Sequence, residues 1–316
     1  MSRRLLLTVA CTLLVGLTLF LNILPGGEEL TVENAENVPW EHDEATDCEI
    51  SLPLIQVLLP VTSRNLKKPA KTLEALPLFQ YALPSFIETV EPARFRYLVS
   101  IAADKGDPWY DDTEQQGQIQ DWILTRWRAH WPVACDVTLT FHAYANTGSR
   151  PTWATNYATQ VGYEMGADYF YRINDDTVLH RNSWSSAFVR ELASFRPIPG
   201  LGVTGPWDPF QKGQLLTMSF VGRPHLECFG THFPFLFGNY FGDDWIMNVY
   251  NVSNSTRFGA GARMMSIMAG VNITHKVLKP RYEIVSTPPQ YRAQLAIDQK
   301  VLETCVMKRL NDKTHR

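Results

Sequence analysis

The sequence has no excess of positive charge: 29 lysines and arginines stand against 32 aspartates and glutamates, a formal net charge of −3 over 316 residues. That removes the electrostatic case for nucleic-acid binding, which rests on a basic face. Cysteine is scarce, five in all, and no pair of them has the spacing of a zinc site. No internal repeat or low-complexity tract is visible, so a repeat architecture is not expected. What remains is ordinary for a chain with a real core: 45% hydrophobic and 19% charged residues, enough for one large or two small domains. Aromatics reach 12% with nine tryptophans, which suits sugar-stacking sites and aromatic cores equally.

The one long apolar run is at the N-terminus. Ser2-Arg3-Arg4 precedes an uncharged stretch from Leu5 to Leu24, followed by Pro25-Gly26-Gly27-Glu28-Glu29. About 20 apolar residues span a bilayer core as a helix. Arginines before and glutamates after predict a cytosolic N-terminus and a lumenal C-terminus. A cleaved signal peptide is the competing reading, but its apolar region is usually shorter and no A-x-A site follows. The division expected is a tail over 1–4, a transmembrane signal anchor over 5–24, an acidic stem over 25–50 and a lumenal body over 51–316. Sequons at Asn251, Asn254 and Asn272, and an even set of cysteines beyond the anchor (Cys48, Cys135, Cys228, Cys305), agree with a secretory-pathway body holding up to two disulfides. Three connectivities are open.

Within the body, Leu54–Leu59 and Phe95–Ile101 are apolar runs of strand length, and Val137–Phe141 alternates as a third strand. Helical patterns lie between them, over 72–90 (interrupted by Pro77 and Pro84), 113–130 and 153–165. A further strand, Tyr169–Ile173, follows. Strand–helix alternation predicts an α/β fold, a doubly wound and mostly parallel sheet. The second half reads as short strands at 202–206, 218–222 and 271–277, short helices at 225–230 and 243–250, and a last helix over 289–310. Such loop-rich structure is where a second substrate is gripped.

The central stretch is Gly166 to Thr177. Its strand runs straight into Asn174-Asp175-Asp176, which puts adjacent carboxylates at a strand exit, where open α/β sheets bind ligands. Neighbouring carboxylates repel and stay ionised cheaply when a cation lies between them; Mg²⁺ or Mn²⁺ prefers such oxygens. A plain turn is the alternative for those residue types. Other strand exits carry Thr62 to Arg64, Asp104 with Asp107, and Arg150, all expected on one edge of a parallel sheet.

This constellation resembles the GT-A glycosyltransferases, which move a sugar from a nucleotide diphosphate to an acceptor; the resemblance covers about 51–284. It implies that Val61, Thr62 and Arg64 hold the nucleotide and that Asp104 meets the base or ribose. Arg150 and Asn156 match the basic residue and asparagine around the helix before the metal motif. That motif, commonly D-x-D, is matched by Asn174-Asp175-Asp176 with Asn in its first position. The resemblance implies Asp176 as metal ligand, with Asp175, or Asn174 through water, secondary, and His275 completing the site near Lys279-Pro280-Arg281-Tyr282. Phe241-Gly242-Asp243-Asp244-Trp245 matches the Gly-rich, acidic helix start of inverting members. It implies Asp244 as general base, with Asp243 as alternate; helix capping is the structural alternative. His225, Glu227 and Trp245 are expected to line the acceptor cleft. The function implied is a metal-dependent (Mn²⁺ or Mg²⁺), Golgi- or ER-membrane glycosyltransferase of type II topology. It would use a nucleotide-diphospho-sugar donor, UDP-sugar favoured, and a glycan or glycoconjugate acceptor. A binding protein on the same fold is the rival, on the strength of Asn174. A nucleotidyltransferase fits less well, because Pro60–Arg64 contains no glycine.

Overall fold

The computed structural model describes residues 52–314 apart from 65, 67–68, 146–149, 253–257 and 277–286. The expected anchor and stem, Cys11, Cys48, Asn254 and the 279–282 stretch lie outside the described residues. Among the described residues no helix is long and apolar enough to cross a membrane.

Four strands form the first half of the sheet: β1 (Leu54–Pro60), β2 (Arg96–Asp104), β3 (Thr138–Tyr144) and β4 (Tyr169–Arg172). They lie in the order β3-β2-β1-β4 and every neighbour is parallel. Parallel neighbours need crossovers. These are α1 (Leu83–Thr89), reached through a 3-10 turn at Leu73–Ala75 and a π turn at Leu78–Ala82, then α2 (Thr113–His130) and α3 (Pro151–Glu164). Pro77 is the N-cap of the π turn and Pro84 falls in the first turn of α1.

Because both faces are covered, β1 is buried along nearly its whole length, as its unbroken apolar run requires. Alternate side chains divide two cores. Ile55, Val57 and Leu59 join Phe86, Tyr97, Trp127 and Trp184 on one face; Leu54 and Leu58 join Ala154, Ala158 and Phe170 on the other. Gln56 lies among the second set. Its amide donates to Ser100 Oγ and to the Ala158 carbonyl, both at 2.7 Å, which ties β1 to β2 and α3.

The second half is mixed. It holds β5 (Thr177–Leu179), α4 (Trp184–Ser194), β6 (Val203–Trp207), β7 (Ser219–Gly222), α5 (Arg223–Phe229), α6 (Gly242–Val249), β8 (Met265–His275) and α7 (Pro288–Thr314). The sheet continues from β4 as β7-β6-β8-β5. β7 is antiparallel to both β4 and β6, β8 is parallel to β6, and β5 is antiparallel to β8. The expectation of a mostly parallel sheet therefore holds for the first half only. β6 turns back into β7 through a loop with no crossover helix, which forces antiparallel pairing. Helix α4, which buries Trp184, Phe188 and Leu192, was not anticipated.

Since β7 reverses between β4 and β6, the strands β4, β6 and β8 all run the same way, and their C-terminal ends share an edge with those of β1 to β3. The sheet is also curled. β4 and β5 are four places apart in the order, roughly 19 Å in a flat sheet at the usual strand spacing. Arg172 and Thr177 are five residues apart, a reach of about 17 Å fully extended. The far end of the sheet must bend back toward the exit of β4.

Helix α7 closes this half. The disulfide Cys228–Cys305 and the Glu227–Arg309 ion pair fasten it to α5, and Trp245 Nε1 donates to Asp298 at 2.8 Å, fastening it to α6. Cys135 is disulfide-bonded as well. Among the described residues three histidines are buried: His142 on β3, His225 on α5, and His232 after it. Burial pushes His142 and His225 down to about 4, and holds His232 well below the usual imidazole range, helped there by the nearby His225 and Arg172.

Two outcomes follow from this packing. A Cβ at Gly162 would lie 2.0 Å from the Gln56 amide oxygen. Gly162→Ala should therefore cost about 1–3 kcal/mol in urea unfolding, and pairing it with Gln56→Ser should restore part of the loss; an unchanged midpoint would refute the contact. The histidines bind protons more weakly folded than unfolded, so stability is full above pH 6.5 and drains as pH falls from there toward 4. His142 alone should cost about 2 kcal/mol between pH 7 and 5. His142→Phe should shrink the difference between unfolding free energies at the two pH values by that amount.

Candidate functional site at the strand exits

The rim begins where β1 and β2 end. Asp107, fully buried, accepts from Ser63 N at 2.9 Å, Ser63 Oγ at 2.6 Å, Trp109 N at 3.1 Å, Tyr110 N at 3.2 Å and Thr62 Oγ1 at 3.2 Å. A carboxylate with this many donors fixes both loops at once. Arg64 reaches across the same gap to donate to the Gly106 carbonyl at 2.7 Å, where Gly106 takes the left-handed φ of +76°. Thr62 and Arg64 thus stand on a braced rim. Asp104 ends β2 beside Tyr144 of β3 and is partly buried. Asp107, which drew less attention in the sequence, is the carboxylate that shapes the loop. Arg150 precedes α3 and lays its guanidinium over the Trp153 ring at 4.3 Å.

The centre lies where β4 ends. Ile173 N still donates to Leu58 O, at 3.1 Å, and then the chain leaves the sheet. Asp175 and Asp176 are 1% and 3% exposed, unusual for adjacent carboxylates. The curl sets what faces them. Thr177 pairs directly with His275, and Lys276 N donates to Asp176 O at 3.1 Å, so β8 delivers its last residue beside the acidic pair. His275 Nδ1 lies 3.6 Å from Asp176 Oδ1.

On the other side of the imidazole, Nε2 lies 3.3 Å from Asp208 Oδ2. Asp208 follows β6 immediately and is buried; it accepts from Phe210 N at 2.9 Å and Thr217 Oγ1 at 3.1 Å. The sequence reading passed over this residue. The signal was present, because Trp207-Asp208-Pro209 is another carboxylate at a strand exit. Asn174 is held through its backbone, with N–H directed at Met218 Sδ at 3.3 Å.

Helix α6 brings a second acidic pair. Phe241 precedes it in the left-handed region at φ 70°, and Gly242 packs close to Thr152, where a Cβ would sit 3.1 Å from Cγ2. Burial raises the Asp243 carboxyl to about 6; Arg172 pulls it back, Asp244 pushes it up, and His275 pulls it back. These influences place Asp243 within electrostatic reach of both β4 and β8. Asp244 is partly buried and also raised by burial, its own backbone amide opposing. The helix start has no side-chain cap, so neither carboxylate takes the N-cap role. Arg172 is buried, donates through Nη1 to Thr217 O at 2.9 Å, and its Nε makes no hydrogen bond among the described residues. Tyr291 of α7 stacks on Phe241 at 5.2 Å, and its phenol is raised by burial and by Asp244, with Asn248 opposing. Asp244 therefore lies beside an aromatic shelf.

Four expected site residues do other work. His225 is sealed in the core, bonded to Tyr250 OH at 2.8 Å and to the His232 carbonyl at 3.1 Å. Glu227 pairs with Arg309 and lies 3.9 Å from Arg223, on the α5–α7 seam. Trp245 is buried against Asp298. His225 and Trp245 are buried, whereas Glu227 is exposed. Asn156 is buried and clamps the Phe233 backbone, donating to its carbonyl at 2.7 Å and accepting from its N–H at 2.8 Å. Of the sequons, Asn251 and Asn272 are exposed.

A divalent ion fits the donor set at the centre: carboxylate oxygens suit Mn²⁺ or Mg²⁺, and the imidazole nitrogen favours the softer Mn²⁺ of the two. Among the described residues no group of three or more His, Cys, Asp and Glu closes on a metal. Asp176 and His275 supply two donors, which matches the habit of Mg²⁺ of taking few protein ligands and completing its shell with phosphates and water.

Neither a protein-family model nor a curated protein matches the chain. Solved structures with a loose likeness include TarS of S. aureus, at TM-score 0.44 and 10% identity over 77% of this chain; the likeness spans 38% of that protein. A mannosyltransferase of Pyrobaculum calidifontis, solved with GDP-Man and Mn²⁺, gives TM-score 0.45 and 12% identity over 86% of this chain and 78% of its own. Glucosyl-3-phosphoglycerate synthase of Mycobacterium tuberculosis, solved with Mg²⁺ and UDP, gives 0.36 and 13% over 81% and 79%. TM-scores under 0.5 at these identities are too low to assign a family or an activity.

Proposed function

We propose that this chain is a metal-dependent glycosyltransferase that moves a sugar from a nucleoside-diphosphate donor to an acceptor hydroxyl. The observation that carries the reading is the buried Asp175–Asp176 pair at the exit of β4 with His275 3.6 Å from Asp176. Adjacent carboxylates with an imidazole at one strand exit form a donor set for a divalent cation, and the edge on which they lie is the one where such sheets take nucleotides.

In this reading Asp176 and His275 hold Mn²⁺ or Mg²⁺, with Asp175 and Asn174 behind them. The ion's part is Lewis-acid stabilisation of the departing diphosphate. Thr62, Arg64 and Asp104 on the braced rim receive the nucleoside, with a UDP-sugar favoured, and Arg150 lies near the phosphates. Asp244 accepts the proton of the acceptor hydroxyl as its oxygen bonds to the anomeric carbon and the bond from that carbon to the donor phosphate oxygen breaks. Its partly buried setting, which raises its proton affinity, suits a general base. Direct displacement of this kind inverts the anomeric centre. Phe241 and Tyr291 offer a stacked aromatic surface beside it for a sugar acceptor. A type II anchor in the Golgi or ER membrane belongs to the same proposal; the Cys228–Cys305 disulfide and the exposed Asn251 and Asn272 suit an oxidising, glycosylating compartment.

A non-catalytic nucleotide-sugar or glycan binder on the same fold is the second reading, favoured by Asn174 where the motif usually has Asp.

Calorimetry of the full-length chain with UDP and with GDP, in Mn²⁺ and in chelator, tests the donor site. One nucleotide should bind in metal and lose at least tenfold in affinity with chelator or with Asp176→Ala; no binding by a folded chain would refute the proposal. Asp244→Asn should leave nucleotide affinity within twofold. It should lower donor-sugar turnover by about 10²–10⁴, measured as UDP or GDP release with an acceptor mixture. Metal-dependent binding without turnover in the unmodified chain would favour the binder.

A further inference from the structure

We propose that Phe210 is a carbohydrate-binding residue that stacks on a sugar ring of the acceptor, which makes the acceptor a glycan. Its assignment to the acceptor rests on the function proposed above, whereas the sugar site itself rests on the loop between β6 and β7.

Phe210 is 64% exposed, and it is the only exposed phenylalanine or tryptophan among the described residues. Single apolar residues at a surface are ordinary; this one is set apart by the turn that holds it there. Pro209 fixes the backbone just before it. Phe210 N donates to Asp208 Oδ1 at 2.9 Å, while Asp208 Oδ2 accepts from Thr217 Oγ1 at 3.1 Å, so one buried carboxylate joins the two ends of the loop. Lys212 N donates to the Pro209 carbonyl at 3.2 Å, and Gln214 N to that of Gln211 at 2.9 Å. Gly213, at φ +70°, lies so close to Trp207 that a Cβ would sit 2.7 Å from its Nε1; the loop is folded onto that indole. The backbone beneath the Phe210 ring is thus fixed before any ligand arrives, which lowers the cost of binding.

The turn stands at the edge that carries the acidic centre. Asp208 Oδ2 lies 3.3 Å from His275 Nε2, and at the other end of the loop the Thr217 carbonyl accepts from Arg172 Nη1 at 2.9 Å. Strand order separates Phe210 from the nucleoside rim. β4 and β7 lie between β1 and β6, which puts the exits of β1 and β6 roughly 14 Å apart at the usual strand spacing. A base held by Thr62, Arg64 and Asp104 lies beyond β4, so Phe210 stands in the part of the edge left to sugars. A pyranose has a face of C–H groups and a rim of hydroxyls, and the C–H face packs on an aromatic ring. An acceptor such as a phosphorylated metabolite gains nothing from an uncharged, apolar plate.

Saturation-transfer difference NMR on the full-length chain tests this. The probes are methyl glycosides of glucose, galactose, mannose, xylose and N-acetylglucosamine at millimolar concentration, with Mn²⁺ and either UDP or GDP present. At least one glycoside should bind, with transfer concentrated on the C–H protons of one ring face. Phe210→Ala should weaken that binding roughly fivefold or more, with nucleotide affinity and melting temperature unchanged. Phe210→Trp should restore it, which a merely structural role for the loop would not predict. Equal sugar affinity in Phe210→Ala and the unmodified chain would overturn the proposal. So would a loss of nucleotide affinity in Phe210→Ala, because the ring would then serve the donor base. Nucleotide binding in metal with no glycoside bound would overturn the glycan assignment and leave the transferase reading standing. Sugar binding that needs Phe210, in a chain that binds neither nucleotide, would sink the transferase reading and keep the sugar site.

Discussion

The short reach between Arg172 and Thr177 is the constraint on which the second half of the molecule depends. β4 belongs to the middle of the sheet and β5 to its end, yet only Ile173 to Asp176 join them. A flat sheet cannot satisfy that link, so the strands after β4 bend round until β8 and β5 lie beside the exit of β4. The acidic residues are the link itself. Their burial and their proximity to His275 are consequences of the same closure that curls the sheet, which makes the site part of the fold's topology rather than an addition to it.

Strand direction does the rest. Reversal at β7 restores β6 and β8 to the direction of β4, so Asp176, Asp208 and His275 emerge on one edge although 32 residues separate the first two and 67 the last two. Helix α6 then sets Asp243 and Asp244 at the same edge, and α7 is fastened over it by a disulfide, an ion pair and the Trp245–Asp298 bond. The two acidic residues of α6 are separated by environment. Asp243 turns toward Arg172 and His275 and is held near 6, whereas Asp244 lies by Tyr291 at the aromatic shelf. Neighbouring carboxylates in unlike surroundings are a common way for one site to hold an acid and a base.

Much of this was legible in the chain. The span Thr113–His130 matches its expected helix, and β1 to β4 fall where the apolar runs put them, because local periodicity is written in consecutive residues. Helix α4 escaped notice, although Trp184, Phe188 and Leu192 recur at helical spacing. His225, Glu227 and Trp245 were expected near an acceptor because polar and aromatic residues look alike whether they face a cleft or a core. The structure adds partners that no local pattern shows: Tyr250, Arg309 and Asp298 engage them from 25, 82 and 53 residues away. The mostly parallel sheet was an extrapolation from the regular first half into a half where a loop replaces a helix.

The sequence by itself determined the alternation of strands and helices, the placement of carboxylates at strand exits, and the presence of a glycine and two aspartates at the start of α6. Each is a matter of neighbours along the chain, where hydrophobic period and residue chemistry suffice. Which carboxylates meet was decided by tertiary structure. Asp107 rather than Asp104 braces the rim, and Asp208 rather than a residue near His275 in sequence takes the far side of its ring, because pairing across a curled sheet depends on strand order and direction. Those are set by how the whole chain buries its two cores, and no short stretch of sequence carries that information.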